Sequence, residues 1–173
     1  MSIQPASTLM ALLTGALLVP AGLARADDHG RRMPSNIPPA YVQECAACHT
    51  AYPPGLLPAN SWQRIMTTLD KHYGSDASLD EATVRQLSTW LQANAGTYRR
   101  VTQAPPQDRI TRSDWFLHKH REIEPAVWRL PSVKTPANCA ACHTRADRGD
   151  FDEDTLRFPA GLTARQRSAW SDD

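Results

Sequence analysis

One five-residue stretch occurs twice in the chain, as Cys45-Ala46-Ala47-Cys48-His49 and as Cys139-Ala140-Ala141-Cys142-His143. No other feature narrows the folding options as far. Two thiols three residues apart with an imidazole directly after them form the attachment pattern of a c-type haem. The spacing suits the chemistry: two sulfurs add across two vinyl groups on one porphyrin edge, and the histidine then lies under the iron as its proximal ligand. The two copies use all 4 cysteines, which leaves none for a disulfide or a thiol nucleophile. Three duller readings compete. A redox dithiol would sit in a thioredoxin-like βαβ setting, and no such strand pattern flanks either copy. A zinc site drawing on both pairs would need a far shorter linker between them. Chance accounts poorly for two identical copies.

Residues 1–26 read as a secretory signal peptide. The apolar run from Leu9 to Val19 has the length of a signal h-region and is too short to span a bilayer. Ala24-Arg25-Ala26 supplies the small-x-small cleavage site. No later stretch is apolar enough to cross a membrane, so a soluble periplasmic protein is expected. Loss of residues 1–26 removes a single charge, Arg25, and 18 basic residues then face 18 acidic ones. That balance gives no basic excess for nucleic acid and no polybasic membrane patch.

The remaining chain has room for one or two small domains. The 14 prolines of the full chain, 12 of them after residue 26, and few aromatics predict a thin core, to which each haem would add a large apolar body. The expected class is mainly α, with two small cytochrome c-like haem-binding domains and little or no β-structure. The expected division is 1–26 signal peptide, 27–104 first haem domain (class I-like) and 105–173 second haem domain, with Pro105-Pro106 at the boundary. Asp27 to Pro39 is polar and proline-dotted and is expected to be loosely ordered, with His29 a solvated histidine.

In the first unit, a short helix over Ala40–Glu44 leads into the haem motif. Asn60 or Ser61 can cap a helix from Trp62 to Tyr73, stopped by Gly74. Trp62, Ile65, Met66 and Leu69 form its apolar stripe, and His72 continues it. An imidazole on such a stripe is usually a packed core histidine, but an iron with an open axial position nearby makes His72 a candidate distal ligand. Met66 is the rival, because a thioether serves in many class I cytochromes. A second helix runs from Leu79 to Asn94 behind a Ser78-x-x-Glu81 capping box, with Val84, Leu87, Trp90 and Leu91 inward.

In the second unit, a helix from Ser113 to Glu124 is stopped by Pro125. His120 shares the apolar stripe of Phe116, Ile123 and Val127, whereas His118 lies with Asp114, Arg121 and Glu122. His120 is therefore the candidate ligand and His118 a surface histidine. The candidate precedes its haem motif here and follows it in the first unit, so the halves are not simple duplicates. The charged tail beyond His143 reads as a solvated face, with a docking patch for a partner's lysines as the sharper alternative.

Three segments carry a resemblance. They are Trp62-Gln-Arg-Ile-Met-Thr-Thr-Leu-Asp-Lys-His72-Tyr-Gly74, Arg109-Ile-Thr-Arg-Ser-Asp-Trp115-Phe-Leu-His-Lys-His120-Arg-Glu-Ile123, and Val133-Lys-Thr-Pro-Ala-Asn-Cys139-Ala-Ala-Cys-His143-Thr. With them the chain resembles the small bacterial dihaem cytochromes c of the DHC type. The resemblance implies two covalent haems c with bis-histidine ligation: His49 with His72 on the first iron and His143 with His120 on the second. Cys45, Cys48, Cys139 and Cys142 would make the thioether links. It also implies a membrane cytochrome b of the b561 kind as electron donor and a soluble high-spin oxygen-binding cytochrome c as acceptor. An imidazole in place of a thioether on the distal side predicts a low-potential one-electron carrier. A monomeric electron-transfer protein with no catalytic residues is the expectation. The other classes are a dihaem peroxidase-like enzyme, usually a much longer chain, and a haem subunit of a dehydrogenase complex.

Overall fold

The computed structural model describes residues 33–98, 100–168 and 170. The expected signal peptide, its apolar run and His29 lie outside these residues. Among the described residues there are helices, tight turns and no strand, as expected for a mainly α protein. No described helix is long and apolar enough to cross a membrane.

Five α-helices punctuate the described residues: α1 (Pro39–Cys45), α2 (Ala59–Met66), α3 (Glu81–Ala93), α4 (Asp114–Lys119) and α5 (Ala164–Ser168). Pro39 opens α1 at a position where its missing N–H is no loss. Asp80 caps α3 by accepting from the N–H groups of Ala82 and Thr83, so the cap is Asp80 rather than Ser78, and the helix starts two residues later than expected. Ser113 caps α4 as read from the sequence, accepting from the Phe116 N–H.

Two helices are shorter than their periodicity suggests. α2 begins at Ala59 behind Pro58, with no side-chain cap, and ends at Met66 instead of Tyr73. The hydroxyls of Thr67 and Thr68 donate to the carbonyls of Gln63 and Arg64, competing with the helical ladder where it would have continued. A 3-10 turn over Leu69–Lys71 carries the chain on to His72. α4 ends at Lys119, five residues before the expected stop. The His120 N–H and ring Nδ1 both reach the Phe116 carbonyl.

α2 packs on α3, and α1 lies against α3. Their buried faces bring Trp62 and Met66 onto Leu87, Trp90 and Leu91, with Tyr41 and Trp90 rings 4.7 Å apart. Each buried leucine there contributes about 1.5–3 kcal/mol of transfer free energy. Of the stretch expected to be loosely ordered, the described residues 33–39 are tied down, since Met33 and Ile37 pack against this cluster. A second cluster joins Leu56, Tyr98 and Val101 to Trp115 and Phe116, from both sides of Pro105-Pro106. Gly55 permits this approach: a Cβ there would lie 2.1 Å from Thr97 Oγ1 and 2.6 Å from the Tyr98 ring.

Beyond α4 the backbone is nearly all short turns, and its fully buried apolar side chains are small, chiefly Val127, Val133 and Ala146. The charged tail is tied down rather than simply solvated. The Arg157 N–H donates to the Cys142 carbonyl at 2.8 Å, and the Thr144 hydroxyl donates to the Thr155 carbonyl at 2.7 Å. Asp150 is buried and lies 3.7 Å from the Arg145 guanidinium. Glu124, just past α4, holds Arg165 and Gln166 of α5 at 2.8 and 2.9 Å.

Candidate functional site

The first motif leaves the end of α1. Cys45 is the last helical residue, and the Ala46 N–H still bonds back to the Val42 carbonyl at 3.0 Å. Cys48 and His49 follow in the turn and face outward, while Cys45 is half-buried. Burial raises the Cys45 thiol to about 11, helped by the neighbouring Glu44. The His49 Nδ1 lies 2.7 Å from the Thr50 carbonyl, a contact that puts the proton on Nδ1 and leaves the Nε2 lone pair available to a metal.

The second motif is wound tighter. Cys139–Ala141 is a 3-10 turn, and the N–H groups of Cys142 and His143 both donate to the Cys139 carbonyl, at 3.2 and 2.9 Å. Burial raises the Cys139 thiol to about 11 and the Cys142 thiol in the same direction, the latter opposed by Arg157.

Opposite each motif stands the histidine that the sequence singles out. The His49 and His72 ring centroids are 6.1 Å apart, and those of His120 and His143 are 6.2 Å apart. An imidazole nitrogen lies about 1.1 Å from its ring centre and about 2.0–2.1 Å from a bound metal, so two rings on opposite sides of one ion have centres about 6.2–6.4 Å apart. Both pairs therefore have the spacing of two axial ligands on one metal. His72 and His143 are each held by an isolated antiparallel bridge, to Ser75 and Leu156.

Burial also favours the neutral, ligating form. It holds His72 below the usual histidine range, with the nearby His49 adding to the effect. It brings His143 down to about 4, reinforced by His120 and opposed by Asp150. His120 is lowered by burial and by Lys119, against the bond to the Phe116 carbonyl.

A cavity of about 1230 Å³ runs past all four cysteines and the four paired histidines. A single drug-sized site occupies about 300–1,000 Å³, so this space suits larger cargo. Trp115 Nε1 and His143 Nδ1 line it, buried and without a protein hydrogen-bond partner. An unpartnered buried donor such as the Trp115 N–H suits a group that brings its own acceptors, as haem brings its propionates. Met66 also lines the cavity, but it sits in the first core cluster at the end of α2. His118 is exposed on the last turn of α4 and is not part of the cavity wall.

Several residues of the site were not singled out by the sequence. Tyr52 stacks on His49 at 4.9 Å, and its hydroxyl donates to the Ala137 carbonyl at 2.7 Å, two residues before the second motif. Trp128 and Phe151 pack near His120 and His143, with centroids at 5.7 and 5.3 Å. Only their aromatic character marks them in the sequence.

The model of the dihaem cytochrome c family, DHC, matches residues 41–151, which takes in both motifs and both paired histidines. The chain belongs to the dihaem cytochrome c family. Its similarity to solved structures agrees. It is 36% identical to a dihaem cytochrome c of Shewanella baltica OS155, with a TM-score of 0.62, over 72% of this chain and 96% of that one. It is 41% identical to a dihaem cytochrome c of Rhodobacter sphaeroides, with a TM-score of 0.60, over 69% of this chain and 99% of that one. A structure of DHC purified from Rhodobacter sphaeroides is 42% identical, with a TM-score of 0.58 and the same coverage. No curated protein matches the chain. As a dihaem cytochrome c, the chain takes two covalently attached c-type haems, and the family points to electron transfer.

Proposed function

We propose that this dihaem cytochrome c is a periplasmic, low-potential, one-electron carrier in which both irons have bis-histidine ligation. His49 and His72 hold the first iron, and His143 and His120 hold the second. Cys45 with Cys48, and Cys139 with Cys142, form the thioether links. The observation that carries this reading is the pair of near-equal ring spacings, 6.1 and 6.2 Å, each matched to two nitrogens across one metal.

The haems supply a one-electron ferric–ferrous couple. The protein supplies ligands and limits access. Two imidazoles on each iron leave no position for a substrate, which favours a relay over an enzyme. Imidazole in place of a thioether keeps the potential low, since a methionine ligand raises it. The exposed first motif offers an approach for a partner, while the second pair is more enclosed. By the resemblance of its motifs, the carrier takes electrons from a b561-type membrane cytochrome and passes them to a high-spin, oxygen-binding cytochrome c. The signal peptide read over residues 1–26 sends the chain to the periplasm and is cleaved there. The boundary at Pro105-Pro106 separates two haem domains.

The test is an optical spectrum of the reduced protein before and after carbon monoxide. An unchanged spectrum is expected, because both irons are closed. A shift in about half of the haem absorbance would mean one open or labile iron, and an enzyme or gas-binding role would replace the carrier.

A further inference from the structure

The two histidine pairs share a spacing and differ in orientation. The His49 and His72 rings are 23° from parallel, whereas the His120 and His143 rings are 77° apart. Different surroundings hold them so. His49 is fixed by its Nδ1 contact with the Thr50 carbonyl and by a near-parallel stack on Tyr52. His120 has its Nδ1 at 2.9 Å from the Phe116 carbonyl, and its ring lies on the Phe116 ring at 4.0 Å and 21°. His143 stands edge-on to Phe151 at 85°. Phe116 is buried in the second core cluster and anchored by the Ser113 cap, so the plane of the His120 ring is tied to the core. Outer-shell contacts of this kind set the orientation of a ligating imidazole.

We propose that Phe116 is a positioning residue that holds His120 crossed to His143, and that this makes the second haem centre electronically distinct from the first. The inference rests on the bis-histidine reading above. An axial imidazole donates π density mainly into the iron d orbital perpendicular to its ring plane. Two parallel rings donate into the same orbital and split the pair of π-type d orbitals widely. Two crossed rings raise both orbitals and leave them nearly degenerate. The ferric low-spin hole then carries much larger orbital angular momentum and gives a highly anisotropic resonance. Near-parallel rings give an ordinary rhombic one.

The experiment is low-temperature electron paramagnetic resonance of the oxidised holoprotein, with Phe116→Leu and His120→Ala alongside. The wild type should show one rhombic and one highly anisotropic low-spin signal of equal spin. His120→Ala should abolish the anisotropic signal alone, which assigns it to the second centre. Phe116→Leu should lower the largest g value of that signal and leave the rhombic one unchanged as an internal control. Two rhombic signals in the wild type would overturn the inference without touching bis-histidine ligation, and they do so even where a variant fails to fold. An anisotropic signal that Phe116→Leu does not move would overturn the role of Phe116. A high-spin ferric signal from the wild type would overturn the ligation reading itself and the inference with it.

Discussion

His118 and His120 are two residues apart and have different fates. His120 lies half-buried 6.2 Å from His143, while His118 is exposed on the last turn of α4. The apolar stripe shared with Phe116 identifies His120 in the sequence, and the stack of the two rings at 4.0 Å is its physical basis. His120→Ala should turn about half of the haem absorbance high-spin or recruit a new ligand, while His118→Ala should leave the optical spectrum as it is. The reverse pattern would exchange their roles. Periodicity also singles out His72, for a different reason from the one the structure offers. It lies beyond the end of α2, and a 3-10 turn rather than a helical stripe brings it round to His49.

At the scale of elements, boundaries depend on side chains that bond to the backbone. Thr67 and Thr68 end α2 early, Asp80 takes the α3 cap from Ser78, and Ser113 caps α4 as expected. Apolar periodicity reports which face is buried and says little about where a hydroxyl or carboxylate will intercept the ladder. The Ser113 cap should matter most for stability, since its hydroxyl is buried, accepts from the Phe116 N–H and donates to the Ile110 carbonyl at 2.7 Å. Ser113→Ala should cost about 1 kcal/mol, within the usual range for cap removal, when unfolding is followed in denaturant. A variant as stable as the wild type would mean that the cap contributes nothing.

At the scale of the whole molecule, the two halves are joined by close packing. Gly149 sits at φ +65°, where a Cβ would meet Met33 Cγ at 2.6 Å and Pro53 Cγ at 3.0 Å, so the tail of the second half lies directly on the start of the first. Tyr52 adds a hydrogen bond from the first motif region to the approach of the second. The cavity of about 1230 Å³ passes through a chain whose second half has few large buried side chains. Haem should therefore be part of the folding free energy, as bound metal is in small metalloproteins. A chain with all four cysteines changed to alanine and no haem supplied should lack a cooperative thermal transition by far-ultraviolet circular dichroism. A sharp transition in that chain would show that the protein core suffices alone.

The sequence by itself determined the cofactor class and which histidines to consider, because covalent attachment demands a fixed local order of Cys, Cys and His, and local order is what a sequence displays. It also determined the mainly helical class, through the apolar stripes that became the buried faces of α2 and α3. Only the tertiary structure decided the 6.1 and 6.2 Å pairings, the parallel and crossed ring planes, and the aromatic groups beside them. Those depend on contacts between residues far apart in the chain, such as Tyr52 with Ala137 and His49 with His72, for which no local periodicity exists.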